Sequence, residues 1–312
     1  MVAATRRPAL VVTQFALLAV VWGASFLFIK VGLEGLSPAY VVLGRLLGGT
    51  AALVLISLVT RTRPPARGAV WMHLGIVGLL LTVVPFLLFA WAEQHISSGL
   101  ASIYNATTPL MTMVIALLMH PDERPTRARL AGLATGFVGV LVVLGPWRGL
   151  GGGSGSAQAA CLLATFCYGL AFVHLRRYVA PLGLPSVAVA AAQVWIGTVL
   201  MLALTPVLRA QPVHLTWRVV ASIAILGILG TGVAYVWNTN VVAAWGATNA
   251  STVTYLTPVV GVLLGVLLLS ERVSWNEPVG ALAVVLGIAI SQNRLRLPRR
   301  RHRVVEQAEK PV

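Results

Sequence analysis

An all-α polytopic membrane protein is the fold class this sequence predicts: ten transmembrane helices in two inverted five-helix repeats, with N and C termini cytoplasmic. Three observations carry that expectation. Hydrophobic residues make up 58% of the 312-residue chain and charged residues only 10%, with mean hydropathy +0.87; soluble chains carry about a quarter charged residues and cannot bury so much apolar surface. The apolar residues fall in runs of about 20, the length that crosses the hydrocarbon of a bilayer. The second half of the chain repeats motifs of the first.

The first run, residues 10–31, follows Arg6 and Arg7. It is too long for a signal-peptide core and further spans follow at once, so it reads as a retained helix. Runs at 38–59, 70–91, 98–119 and 130–147 complete a first repeat over residues 1–147. A Gly/Ser linker at 148–156 follows, and runs at 157–177, 187–208, 217–239, 246–269 and 276–292 form a second repeat over 157–293. A basic tail occupies 294–312. The gaps between runs are short and hold charge and turn residues, as in "TRTRPPARG" and "HPDERPTRAR".

Orientation follows from lysine and arginine placement. With the N-terminus inside, seventeen of the 23 basic residues fall in inner segments, seven of them in the tail, and five fall in outer segments: Lys30, Arg148, Arg209, Arg218 and Arg272. Arg45 lies within the second span. Tryptophans 71, 91, 147, 217, 245 and 275 sit at helix ends, where indoles prefer the interface. The net charge of +15 is therefore a topology signal that also meets anionic headgroups, and nucleic acid is not an expected partner.

The repeat is legible residue by residue. Ala101-Ser102 matches Ala250-Ser251, Thr108-Pro109 matches Thr257-Pro258, and Glu123-Arg124 matches Glu271-Arg272. Gly132 and Gly139 match Gly280 and Gly287, and "WGASF" around Trp22 faces "YGLAF" around Tyr168. Because five spans are an odd number, the second copy enters the membrane from the opposite side. Inverted repeats place a binding site near the midplane, exposed alternately to each side.

"GLSPAYVVLGRLL" and the paired "TP…LL…ER…G…G" segments, with these repeats, resemble the EamA-like family of the drug/metabolite transporter superfamily. The resemblance covers nearly the whole chain and implies ten helices in two inverted halves. It implies export of a small metabolite, amino acid or drug-like solute from the cytoplasm through the cell (inner) membrane. One departure stands out: "AVAAAQVWIG" in the seventh span has no arginine matching Arg45.

Candidate pathway residues follow from helical spacing. In the fourth span Ser98, Ser102, Asn105, Thr108/Pro109 and Thr112 share one face, and in the ninth Thr248, Ser251/Thr252, Thr254/Tyr255 and Pro258 do the same. Prolines 109 and 258 free a backbone carbonyl and permit a bend. The competing reading is that these hydroxyls glue helices together, worth about 0.6 kcal/mol each. Arg45 lies about 10 Å into the bilayer at 1.5 Å per residue. It meets either a substrate carboxylate or neighbouring carbonyls, or else it snorkels outward or pairs with Glu34 or Glu93. Lys30, nearer the surface, is expected to snorkel. Trp22, Tyr168 and Trp195 near mid-span either stack on a substrate or pack the core. Trp237, Asn238 and Asn240 suggest a cytoplasmic vestibule, and His174 an interfacial position beside Arg176 and Arg177.

Enzyme chemistry finds no support. Ser25 in "GASF" lacks a positioned base, and there is no HExxH, acid pair or phosphate-binding lysine loop. No cofactor or metal is expected. Cys161 and Cys167 read as small buried hydrophobes. The expected partners are a small-molecule substrate and the lipid bilayer; the G-x-x-x-G motifs at Gly44, Gly132 and Gly261 are helix-packing signals and specify no oligomeric state. A lipid-type flippase or a non-transport membrane partner protein is the alternative function. The eight acids are Glu34, Glu93, Asp122, Glu123, Glu271, Glu277, Glu306 and Glu309, and none lies deep in a run. Facilitated flow or exchange is therefore expected over carboxylate-gated antiport.

Overall fold

The computed structural model describes residues 8–65, 68–119, 126–145, 154–208, 213–245 and 253–291. Among them the chain forms ten helical segments without a strand. They are α1 (Pro8–Gly32), α2 (Pro38–Val59), α3 (Val70–Ala92), α4 (Ser98–Met119), α5 (Arg127–Leu144), α6 (154–182), α7 (Ser186–Leu204), α8 (217–245), α9 (Val253–Leu269) and α10 (Asn276–Ser291). Eight are long and apolar enough to cross a membrane; α9 and α10 hold the shorter apolar helices Leu256–Leu269 and Asn276–Ser291.

Local chemistry sets the helix starts. Ser37, Ser97, Thr126 and Thr216 are N-caps whose side-chain oxygens accept from the backbone N–H three residues on. Pro38 follows its cap directly, where a missing N–H costs nothing. Three helices are interrupted where sequence periodicity gives no warning: α3 holds a π-helical turn at Leu79–Val83, α6 one at Leu175–Val179 and α8 one at Ile225–Val233. The bend expected at Pro109 takes the form of a break, since α4 is two pieces, Ser98–Asn105 and Thr108–Met119. Pro258 stays inside a continuous helix.

The glycine contacts between the first five helices and the last five recur with their partners exchanged. Helix α5 lies along α10, with Gly132 against Gly287 and Gly139 against Gly280. A Cβ at Gly139 would fall 2.8 Å from the Gly280 carbonyl oxygen, and one at Gly280 2.7 Å from that of Gly139. Helix α1 packs on α9 through Gly23, at Thr257 and Val260; α6 packs on α4 through Gly169, at Met111 and Thr112. Helix α2 packs on α8 and α7 on α3: Gly49 meets Thr231 as Gly197 meets Thr82, and Gly227 meets the Arg45 carbonyl as Gly78 meets that of Gln193. Between α2 and α7 the hydroxyls of Thr50 and Thr198 bond to each other at 2.8 Å.

One end of the bundle, the Ser98 end, is tied by polar contacts. The Glu271 carboxylate accepts from Ser98 N (2.7 Å), Ser98 Oγ (3.0 Å) and Gly99 N (3.1 Å), joining the end of α9 to the start of α4. Gly265 leaves the room in which this carboxylate sits, and Ser270, at φ 54°, ends α9 in the left-handed conformation that turns the chain back. Arg218 pairs with Glu34 at 3.4 Å. Lys30 does not snorkel: its ammonium donates to the carbonyls of Glu93 and Ile96, the latter at 2.9 Å, capping the C-terminal end of α3. At the opposite end His73 and His174 share a 3.1 Å hydrogen bond, and Tyr178 stacks on His73.

Candidate functional site: a cavity between the halves

A cavity of about 180 Å³ lies where α1, α2, α3, α4, α6, α8 and α9 converge. Its lining comes largely in repeat-equivalent pairs. Trp22 and Tyr168 occupy matching positions after which a glycine packs on the other half, and one turn later on the same faces stand Phe26 and Phe172. Asn105 matches Thr254, and Thr108 matches Thr257. The exchange of Thr82 for Thr231 also sets Phe86 against Tyr235 and Phe89 against Asn238. Aromatic rings thus form the wall, and amides and hydroxyls dot it.

Arg45 is the one charged residue among the described lining residues. It is 8% exposed, its Nε donates to Thr231 Oγ1 at 3.0 Å, and its guanidinium carbon lies 3.8 Å from the Phe86 ring centroid. Of the partners the sequence leaves open, Glu34 is bonded to Arg218 instead, and Glu93 is outside salt-bridge distance. A guanidinium presents five donors, so Thr231 and Phe86 hold it in place while leaving donors for an anionic group.

The hydroxyls are oriented by their own helices. Ser25 donates to Val21 O (2.9 Å), Thr108 to Asn105 O (2.8 Å) and Thr257 to Thr254 O (3.1 Å). With the proton directed along the helix, each oxygen keeps lone pairs with which to accept from a solute.

Of the residues singled out by sequence, Trp22, Ser25, Arg45, Asn105, Thr108, Tyr168, Asn238 and Thr254 line this cavity. Ser102 is fully buried, bonds Gly99 O and packs on Gly261 at the α4–α9 contact. Pro109, Pro258 and the half-buried Trp237 lie on the lining helices without lining the cavity. Trp195 stands edge-on to Trp71 at 6.2 Å, in a separate groove with Val54 and Arg63. Ser251 and the side chain of Tyr255 lie outside the described residues. The aromatic members Phe26, Phe86, Phe89, Phe172 and Tyr235 were not anticipated, because an aromatic residue in an apolar run carries no signal of which way it faces.

Comparison with known proteins places the chain among transporters. Residues 10–145 and 155–292 each match the sequence model of the EamA-like transporter family. The chain is 30% identical over 301 residues to a probable terminal-alkyne amino-acid exporter of Streptantibioticus cattleyicolor, covering 93% of this chain and 95% of that one. It is 27% identical over 275 residues to the uncharacterized transporter YdfC of Bacillus subtilis, covering 86% and 87%. It is 28% identical over 278 residues to the uncharacterized inner membrane transporter YedA of Escherichia coli K12, covering 87% of each. A crystal structure superposes with a TM-score of 0.64 at 20% identity, over 93% of this chain and 100% of the other.

Proposed function

Because this chain belongs to the EamA-like transporter family, we propose that it exports a small amphipathic solute bearing a carboxylate, by alternating access of two inverted five-helix halves in the cytoplasmic membrane. It is a multi-pass transporter of that membrane, as its inner-membrane relatives and apolar helices indicate, and not an enzyme.

The observation that carries the reading is Arg45 in a cavity lined by matched pairs. Residues that trade partners between halves are what a two-fold relation produces, since contact of i with j then entails contact of j with i. A cavity on such an axis is where inverted repeats bind their solute. Within it one cation, a wall of rings and scattered acceptors suit an organic acid with an apolar body and a donor such as an ammonium group. An amino acid meets that description, and one relative is a probable terminal-alkyne amino-acid exporter. On the sequence-derived orientation the Ser98 end is outer, so the tied end here is the outer one and the solute enters from the cytoplasm.

Comparative metabolomics of the medium from cells with and without the protein tests this. A carboxylate-bearing compound should accumulate outside expressing cells and not outside cells carrying Arg45→Gln. An accumulating neutral lipid or a cationic drug would refute it.

A further inference from the structure

Glu93, the residue that closes the C-terminal end of α3, is 0% exposed, and neither carboxylate oxygen has a hydrogen-bond partner. The sequence places it at the end of an apolar run, where a carboxylate would be expected to meet water. The fold buries it instead beside an apolar cluster that includes Phe89, Ala92, Ile96 and Leu100.

Four titratable groups face it, and the three charged ones are bonded elsewhere. The four are Lys30 on α1, Arg45 on α2, Glu271 after α9 and the Cys161 thiol on α6. Lys30 donates to the backbone carbonyls of Glu93 and Ile96, Arg45 to Thr231, and Glu271 accepts from Ser98 and Gly99. No donor reaches the Glu93 carboxyl, and a second acid stands near it. An ionised carboxylate without donors in a dry site is far more unfavourable than the neutral acid.

We propose that Glu93 is a proton-binding site, occupied by a proton when the Ser98 end is closed and emptied into the outer aqueous phase when that end opens. This rests on the proposed reading that α4 and α9 part at this end during transport. Parting them removes Glu271 from Ser98 and admits water to the corner that Glu93 occupies. The O–H bond then breaks heterolytically, the proton passes to water, and the carboxylate is left solvated beside Lys30. Closure reverses the step and takes up one proton. The carrier is thereby proton-linked, against the expectation drawn from the acid positions in the sequence.

The sign follows from linkage: the closed end binds the extra proton, so acid favours closure and alkali favours opening. For one proton the closed-to-open ratio changes by up to tenfold per pH unit, between the carboxyl's ionisation in the open form and that in the closed form.

Two readouts on the full-length protein in lipid vesicles test this without a known solute. Infrared difference spectroscopy should find the carbonyl stretch of a protonated carboxyl at neutral pH in the native protein and lose it in Glu93→Gln. Spin labels at His95→Cys and Val273→Cys should report a closed distance that gives way to an open one as pH rises. In Glu93→Gln the closed distance should persist at every pH. If that variant fails to insert, the native protein still decides: its band and its closed population must titrate together. Absence of the band at neutral pH, or unchanged pH dependence in Glu93→Gln, overturns the proposal. If both readouts hold and no solute is exported, the proton site stands and the transport reading falls. If solute is exported and neither readout holds, it is the proton site that falls.

Discussion

Replacing Glu271 by glutamine should loosen the Ser98 end while leaving the helices themselves intact. The Glu271 carboxylate accepts three hydrogen bonds at 2.7–3.1 Å from the first residues of α4. Hydrogen bonds to a charged group each contribute about 1.5–3 kcal/mol, and an anion at a helix N-terminus adds about 0.3–1. Glutamine keeps one acceptor and turns an amide donor toward N–H groups, so most of this is lost. Residue 271 is only half-buried, and water can replace part of the loss, which brings the net cost to about 2 kcal/mol. At about 1.4 kcal/mol per tenfold, that shifts the closed-to-open ratio roughly 30-fold toward open. The His95/Val273 spin-label pair at constant pH measures the shift directly, and circular dichroism checks that helix content is unchanged. An unaltered distance distribution would show that the three bonds are not what holds this end shut.

Arg45→Gln should lower transport efficiency for a carboxylate-bearing solute about 10- to 100-fold, the value of one charge-assisted bond, with a smaller effect on its amide analogue. Equal losses for the two in vesicle flux assays would refute carboxylate recognition. Arg45→Lys should not restore it, because an ammonium cannot keep the Phe86 and Thr231 contacts while presenting further donors. Gly139→Val should destabilise the α5–α10 seam by at least about 1–3 kcal/mol of overpacking, seen as a lower melting temperature in detergent. Gly75→Ala, where no atom lies within 4 Å of the new carbon, should hold or raise it.

What the sequence revealed and what it hid divide along a physical line. Helix positions were legible because spans are set by length and apolarity, and caps such as Ser37 and Thr126 mark their starts. The matched glycines and Thr-Pro pairs were legible because a repeat leaves its signal in identity. Facing was not. Trp195 and Trp22 look alike in apolar runs, yet one lies in a groove beside Trp71 and the other in the central cavity. Hydrophobic periodicity fails within a membrane, where both lipid and core select apolar residues. The same blindness hid Glu93: a terminal position in the sequence does not say whether neighbouring helices extend past it. The π turns in α3 and α8 were hidden too, since apolar residues fill a π turn and an α turn of a membrane span alike.

The departure from symmetry is as informative as the symmetry. Arg45 corresponds to Gln193 on α7, which is 3% exposed and whose Oε1 has no partner. By the repeat, the counterparts of what holds Arg45 are Thr82 for Thr231 and Tyr235 for Phe86. On the proposed reading, one cation off the axis binds an anion in a single pose, and it makes the two faces of the cycle unequal in energy even without solute. In Arg45→Gln/Gln193→Arg the charge count is conserved and the arginine finds an aromatic face and a hydroxyl at equivalent positions. Its insertion cost of about 2.5–3.5 kcal/mol matches the one removed. If the solute sits on the pseudo-axis, the double variant should recover preference for a carboxylate over its amide, with the preferred direction of exchange shifted. Carboxylate preference no better than in Arg45→Gln alone, in a double variant that inserts and melts like the native protein, would place the anion-binding determinant outside the axis.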